Sequence, residues 1–143
     1  MSVKTAKDIL LVEDNPDDAE LTRIAFAEAG VDYRLHVVGD GVQALAYLRG
    51  CSPVELPSLV LLDLNLPKLN GREVLEAIRA EPATRSLPVV VLTTSAEPFD
   101  IDDVYALGAN SYIQKPVEFD RFIEAARQIG LYWLGLNQAP GRR

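Results

Sequence analysis

The sequence is short of cysteine, histidine and positive charge, and each shortage excludes a class of protein. Cys51 is the single cysteine, so an internal disulfide framework is excluded and a reducing compartment is favoured. The net charge of −7 argues against a nucleic-acid partner, because binding to a phosphate backbone needs clustered Lys and Arg. His36, the only histidine, lies in a predicted strand, where we expect a structural role.

Long apolar runs are also missing. The first run, 9–12, is too short for the core of a signal peptide, and no later stretch approaches the roughly 20 residues of a membrane span. We therefore expect a cytoplasmic protein without a membrane partner. The 143 residues suffice for one domain with a substantial core, which we place at 7–136, and we expect the ends, 1–6 and 137–143, to be flexible.

Short apolar runs alternate with amphipathic stretches along the chain. An apolar run without polar alternation is typical of a strand buried on both faces of a parallel sheet. Five such runs between helical patterns, with right-handed crossovers, predict an α/β, flavodoxin-like, doubly wound fold with five helices and a five-stranded parallel sheet in the order 2-1-3-4-5. The predicted strands are 9–12, 35–38, 59–62, 88–92 and 111–113.

Local signals mark the predicted helices. Asn15 is a suitable N-cap for the first helix, Pro16 suits its first position and Gly30 ends it. Asp17 and Asp18 complement the positive end of that helix dipole. The residues expected to face the core are Leu21, Ile24 and Ala25. The later helices are predicted at about 41–49, 71–81 and 98–107, and from 117 onwards with apolar residues at 119, 122, 123, 126, 129 and 133.

Acidic residues follow two of the predicted strands. Glu13 and Asp14 end the first run, and Asp63 ends the third. In the predicted order these strands are neighbours, so the three carboxylates meet at one sheet edge and require a compensating cation. Mg²⁺ is the simple candidate, because it prefers carboxylate, carbonyl and water oxygens. We expect Asp14 and Asp63 as direct ligands, Glu13 through water, and the backbone carbonyl of Asn65 as a further ligand.

Polar residues also end the last two predicted strands. Thr93 follows the fourth strand, and Lys115 follows the fifth and precedes Pro116. An ammonium group can neutralise a phosphoryl oxygen, and a hydroxyl can donate a hydrogen bond to another. Thr94 is an alternative hydroxyl, but the offset of Thr93 from Lys115 favours Thr93.

The set of Glu13-Asp14, Asp63, Thr93 and Lys115-Pro116, with Asn65, Pro67 and Gly71 at their offsets, resembles the receiver domain of two-component response regulators. The resemblance covers about 7–130. It implies that Asp63 accepts a phosphoryl group from a histidine kinase, in a self-catalysed reaction followed by autodephosphorylation. It also implies that Glu13 and Asp14 bind Mg²⁺ and that Thr93 and Lys115 contact the phosphoryl group. Tyr112 matches the aromatic switch residue of the family, whose Lys-Pro bond is typically cis.

Two features resemble a subset of that family. The extended loop at 50–57 and the apolar tail at 129–134 are similar to stand-alone regulators that partner bacterial and cyanobacterial phytochromes. The resemblance implies a phytochrome-type sensor histidine kinase as partner and a role in light signalling. It also implies a homodimer through the carboxyl-terminal helix. In an ideal α-helix the tail residues that would face away from the sheet are Leu131, Tyr132, Leu134 and Leu136.

Two other functions fit parts of the pattern. A Mg²⁺-dependent phosphatase of the haloacid dehalogenase type also uses a strand-terminal aspartate, but it needs a second aspartate two residues later. That position is Asn65, which cannot transfer a proton. A scaffold that has lost phosphorylation is disfavoured because Asp63, Thr93 and Lys115 are all present.

Overall fold

The computed structural model describes residues 7–30, 32–95 and 97–138. Five parallel strands form one sheet in the order β2-β1-β3-β4-β5, which confirms the predicted order. Of the ends expected to be flexible, 1–6 and 137–143, residues 1–6 and 139–143 lie outside the described residues, and the expectation stays a prediction. The strands are β1 (Lys7–Val12), β2 (Tyr33–Val38), β3 (Leu59–Leu62), β4 (Val89–Thr93) and β5 (Ser111–Gln114). The α-helices are α1 (Pro16–Ala29), α2 (Gly41–Arg49), α3 (Gly71–Ala80), α4 (Pro98–Ala106) and α5 (Phe119–Ile129).

Helices cover both faces of the sheet, each over its own apolar core. The core under α1 and α5 includes Ile9, Leu11, Phe26, Phe122 and Ala126. The core on the opposite face, under α2, α3 and α4, includes Leu10, Leu48, Val74, Leu75 and Val104. Adjacent strand residues point to opposite faces, so residues 9–12 of β1 and the whole of β3 contribute to both cores and are apolar at every position.

The register of the sheet brings the polar strand ends to one edge. Val12 is paired with Leu62, and the Asp63 amide donates to the Val12 carbonyl over 3.1 Å. On the other side of β3, Leu62 is paired with Val91, so β4 reaches the same edge two residues later. The residues that follow β1, β3, β4 and β5 are therefore neighbours.

Both ends of α1 are as predicted, but its buried face is different. The Asn15 side chain accepts hydrogen bonds from the first-turn amides, and Gly30 ends the helix with a φ of 75°. Phe26 is completely buried, whereas Leu21 and Ile24 are only partly buried. Ala25 is buried and Leu21 packs against the core, as predicted, but the large aromatic ring of Phe26 takes the central position over the sheet, and Ile24 is not part of the core.

The carboxyl-terminal segment departs from α-helical geometry. After α5 the chain continues as a π-helix, Gly130–Leu136, and the amide of Asn137 donates to the Tyr132 carbonyl five residues earlier. The wider turn of a π-helix brings Leu134 into the same core as Ile129, and Leu134 is 5% exposed. The expectation that Leu134 faces away from the domain is therefore wrong. Trp133 is partly buried and packs against the core under α1 and α5, as predicted.

The loop after α2 and the first residue of α5 differ from the prediction. The loop after α2, predicted to be irregular, contains a short 3₁₀ turn at Pro53–Glu55, in which the Glu55 carboxylate accepts from the Ser52 amide over 2.8 Å. Phe119, the first residue of α5, is 57% exposed, so the prediction that it faces the sheet is wrong. Among the described residues, no helix combines the length and the apolar character needed to cross a membrane.

Candidate functional site

Three carboxylates predicted to form a site are close together at the carboxyl edge of the sheet. Oxygen atoms of Glu13, Asp14 and Asp63 all lie within 4.8 Å of one another. Glu13 and Asp63 are buried, whereas Asp14 is exposed and its carboxylate makes no hydrogen bond or ion pair with a described residue. The arrangement concentrates negative charge and leaves one carboxylate open to solvent.

The ammonium group of Lys115 lies within this acidic cluster. Its Nζ donates to Glu13 Oε1 over 2.6 Å, to Asp18 Oδ2 over 2.9 Å and to Asp63 Oδ2 over 3.1 Å. The Lys115 side chain is only 5% exposed. The position and the charge of the ammonium group are thus set by the carboxylates that follow β1 and β3 and by one carboxylate in the first turn of α1.

Burial and nearby charges shift the pKa values of Glu13 and Lys115. Burial raises the pKa of Glu13 to about 7, although the hydrogen bond and the charge of Lys115 act in the opposite direction. Burial alone would lower the pKa of Lys115, but its hydrogen bonds to Glu13 and Asp18 and the charge of Asp63 raise the pKa above its usual value. The ammonium therefore stays charged at neutral pH.

The loop between β3 and α3 is held close to Asp63. The Asn65 amide donates to Asp63 Oδ1 over 3.1 Å, and the Gly71 amide donates to the Leu64 carbonyl over 3.0 Å. A Cβ atom on Gly71 would collide with the Asp63 carbonyl, so only glycine allows α3 to begin this near to the strand end. The role of the Asn65 backbone carbonyl as a metal ligand stays a prediction.

Thr93 has the one buried side-chain N or O atom that makes no hydrogen bond within the described residues. This atom, Oγ1, is completely buried at the end of β4, whereas the neighbouring Thr94 is exposed. Leaving a buried hydroxyl unpaired costs about 1–3 kcal/mol, and such a cost is common where a ligand later supplies the partner. Because its hydroxyl is buried and makes no hydrogen bond within the described residues, Thr93 is favoured over Thr94 as the hydroxyl of the site.

Tyr112 lies on β5 beside the segment that follows β4. Its hydroxyl donates to the Ser95 carbonyl over 2.8 Å, and the ring is partly buried. The Ser95 hydroxyl in turn donates to Asp100 Oδ2 at the beginning of α4 over 2.5 Å. Tyr112 is therefore linked through Ser95 to the helix that follows the site.

Two other expectations, for the Lys115-Pro116 bond and for His36, have different outcomes. The Lys115-Pro116 bond is trans, so the expected cis bond is wrong. The two isomers of an X-Pro bond differ by only about 0.5–1 kcal/mol, and that expectation rested on the resemblance alone.

His36 is in the middle of β2, with its ring 5.2 Å from the ring of Tyr47 and its Nε2 3.7 Å from Asp8 Oδ1. These neighbours are structural and separate from the acidic cluster.

Asp18 is the member of the cluster that sequence reasoning missed. The sequence suggested only that it complements the dipole of α1, and nothing in its spacing from Lys115, 97 residues away, indicates a contact. The one available signal was that Asp18 lies in the first turn of the helix that follows the acidic end of β1.

The donor set fits a hard divalent ion. Three carboxylates and a nearby backbone segment supply only oxygen ligands, and Asp14 leaves room for the waters that Mg²⁺ retains. Both Glu13 oxygens already accept hydrogen bonds, from Lys115 Nζ and from the Asn15 amide, which agrees with a ligand that acts through water. A bound ion at this position would neutralise part of the acidic charge and attract an anionic group.

Comparison with known proteins identifies a family over most of the chain. The family model for the response regulator receiver domain matches residues 9–127. The probable methanogenesis regulatory protein FilR2 of Methanothrix harundinacea is 45% identical over 138 residues, which cover 93% of this chain and 87% of that protein.

Two further response regulators are similar to this chain. One, Rcp1, has been solved with Mn²⁺, and the other, RcpA, is a phytochrome response regulator solved in its phosphorylated form. Response regulator Rcp1 of Synechocystis is 39% identical over 94% of this chain and 93% of that protein. The structure of a Mn²⁺-bound form of Rcp1 has a TM-score of 0.87, with 38% identity over 94% of this chain and 99% of that one. The structure of the phosphorylated cyanobacterial phytochrome response regulator RcpA has a TM-score of 0.88, with 40% identity over 95% of this chain and 99% of that one.

The geometry predicts a specific effect of Asp14 on metal binding. Replacing Asp14 with alanine removes the one exposed carboxylate of the cluster, and we expect Mg²⁺ affinity measured by calorimetry to fall about tenfold or more. Asp17→Ala is the matched control, because Asp17 is an exposed acid of the same segment outside the cluster. Equal Mg²⁺ affinities for the wild type and Asp14→Ala would contradict the assignment.

Proposed function

Because the chain belongs to the response regulator receiver domain family, we propose that it is a single-domain response regulator with Asp63 as its phosphoacceptor. The donor would be the phosphohistidine of a sensor histidine kinase. The receiver domain would comprise residues 7–136, including the carboxyl-terminal helix. The protein would act as a signalling switch that catalyses its own modification and not as an enzyme for an external substrate.

One observation carries this proposal. The Asp63 carboxylate, at the end of β3, lies 3.1 Å from a buried ammonium and within 4.8 Å of two further carboxylates. The buried hydroxyl of Thr93 ends the adjacent strand. A nucleophilic oxygen, a fixed cation, a divalent-ion site and a hydroxyl donor are the parts that phosphoryl transfer to a carboxylate requires.

The chemical step follows from these parts. A carboxylate oxygen of Asp63 forms a bond to phosphorus while the phosphorus–nitrogen bond of the phosphohistidine breaks, and the electron pair returns to the imidazole. Lys115 and Thr93 would stabilise charge on the phosphoryl oxygens by donating hydrogen bonds. When bound, Mg²⁺ would neutralise negative charge in the site. In autodephosphorylation a water oxygen bonds to phosphorus, the bond to Asp63 breaks, and inorganic phosphate leaves.

The proposed switch uses the contacts of Thr93 and Tyr112. On phosphorylation the Thr93 hydroxyl would gain its missing acceptor, and the segment that contains Ser95 would move with it. Tyr112 donates to the Ser95 carbonyl, so this movement would change the position of Tyr112 and reshape the face formed by α4, β5 and α5.

The relatives suggest the signalling context. Receiver domains partner histidine kinases, and RcpA, which is 40% identical to this chain, is a phytochrome response regulator by name. We propose a bacteriophytochrome-type kinase as partner, a role in light signalling and a cytoplasmic location. The acidic charge of −7 favours a protein partner over nucleic acid.

We also propose a homodimer through the carboxyl-terminal helix. Tyr132 is 49% exposed and Leu136 is 73% exposed on the π-helical segment, close to the half-buried Leu131. Leu134 belongs to the core of its own domain, so the exposed apolar surface is smaller than the sequence suggested. A symmetric pair of such surfaces is the simplest closed assembly that would bury these side chains.

The phosphoacceptor assignment predicts the behaviour of Asp63→Asn. This change removes the nucleophilic carboxylate and keeps the size of the side chain, so labelling by a phosphorylated histidine kinase or by acetyl phosphate should be lost. Labelling is measured with radioactive phosphate or by intact-protein mass. Asp120→Asn, which alters an exposed acid of α5, should be labelled like the wild type. Full labelling of Asp63→Asn would rule out Asp63.

The dimer proposal predicts the oligomeric state of a double variant. Tyr132→Asp with Leu136→Asp places two charges on the proposed interface, so sedimentation at micromolar concentration should show a monomer where the wild type is a dimer. Val54→Asp, on a side chain that is 80% exposed in the loop after α2, is the control and should leave the dimer intact. A monomeric wild type, or an equally tight dimer of the double variant, would exclude this interface.

A further inference from the structure

Asp18 is the most exposed of the three carboxylates around the Lys115 ammonium. Its side chain is 25% exposed, compared with 4% for Glu13 and 9% for Asp63. All three accept a hydrogen bond from the same Nζ atom. Asp18 is therefore the partner of Lys115 that an arriving anion can most readily approach.

Local hydrogen bonds hold Asp18 in its position. Its amide donates to the Asn15 side chain over 3.2 Å, and its carbonyl accepts from the Thr22 hydroxyl over 2.8 Å. The Asn15 amide donates to Glu13 Oε2 over 3.1 Å. The same helix cap thus holds the backbone of Asp18 and the carboxylate of Glu13, so the short Asp18 side chain extends from a fixed point beside the ammonium.

The hydrogen-bonding capacity of the ammonium is completely used. A lysine ammonium has three N–H donors, and each has a carboxylate acceptor here. A phosphoryl oxygen can bind Lys115 only if one of these bonds breaks. The bond to Glu13 is the shortest and the most buried, so the exchange must involve Asp18 or Asp63.

We propose that Asp18 is a positioning residue that competes with phosphoryl oxygens for the Lys115 ammonium and so weakens the hold of the site on free anionic phosphodonors. The inference rests on the proposed function of Asp63. Asp18 neutralises part of the ammonium charge and adds a negative charge beside the position of an anionic donor. A kinase-bound phosphohistidine is held by protein contacts and depends less on this attraction, so Asp18 favours a docked protein donor over a small acyl phosphate.

Acetyl phosphate and three forms of the full chain provide the test. In the reaction an Asp63 oxygen bonds to phosphorus, the bond from phosphorus to the acetyl oxygen breaks, and acetate leaves with the electron pair. The labelling rate is measured against acetyl phosphate concentration in excess Mg²⁺ for the wild type, Asp18→Asn and Asp17→Asn. Asp17 is the matched control, because it has the same charge in the same helical turn but no ion pair with Lys115.

In Asp18→Asn we expect the half-saturating acetyl phosphate concentration to fall roughly three- to tenfold, the effect of one partly exposed charged hydrogen bond. Asp17→Asn should match the wild type. Affinity for beryllofluoride in the presence of Mg²⁺, followed by fluorine NMR, should rise by a similar factor in Asp18→Asn and needs no turnover. If Asp18→Asn does not fold, Asp18→Ser removes the same charge and repeats both measurements.

An unchanged or higher half-saturating concentration in a folded Asp18 variant would overturn the inference, and so would an equal gain in Asp17→Asn. Neither result affects the assignment of Asp63, since the wild type is still labelled in both cases. A wild type that acetyl phosphate and a phosphorylated kinase both fail to label would instead overturn the proposed function, and the inference with it.

Discussion

The buried ammonium of Lys115 is the interaction on which the site depends. It joins the ends of β1, β3 and β5 and the first turn of α1, because Glu13, Asp63 and Asp18 all accept hydrogen bonds from it. Without this charge the carboxylates would repel one another in a poorly solvated position, and removing one partner of such a buried pair typically costs about 3–5 kcal/mol. The same charge would stabilise a phosphoryl group on Asp63. The Lys115 side chain therefore stabilises this edge of the sheet and also serves the proposed chemistry.

The sheet and most of the acidic site were predictable because local and global signals agree. Strand segments buried on both faces have apolar residues at every position, so the first polar residue after the runs 9–12 and 59–62 marks a strand end, as Glu13 and Asp63 do. Strand order then follows from the handedness of the crossovers, and the pairing of Val12 with Leu62 brings two of the acidic ends together. The capping residues of α1 were equally clear, because Asn15 acts within one helical turn.

Details that depend on tertiary contacts were not predictable in this way. Asp18 is paired with a lysine 97 residues away, and no local pattern records that contact. The central position of Phe26 over the sheet depends on how α1 is rotated. An α-helical repeat places Leu134 on the outer face of the carboxyl-terminal segment, but its π-helical turns bury Leu134 in the core. This wider helical turn is enough to change which side chains remain available for a partner.

The most direct test of the account is a crystal structure of the protein with Mg²⁺ and beryllofluoride, an acyl-phosphate mimic. The account predicts beryllofluoride on an Asp63 oxygen, with Thr93 Oγ1 and Lys115 Nζ each within hydrogen-bond distance of a fluorine. The metal ion should be bound by Asp14 and Asp63. Beryllofluoride bound at another residue, or bound at Asp63 with the Thr93 hydroxyl still unpaired and Lys115 still directed only at the carboxylates, would contradict it.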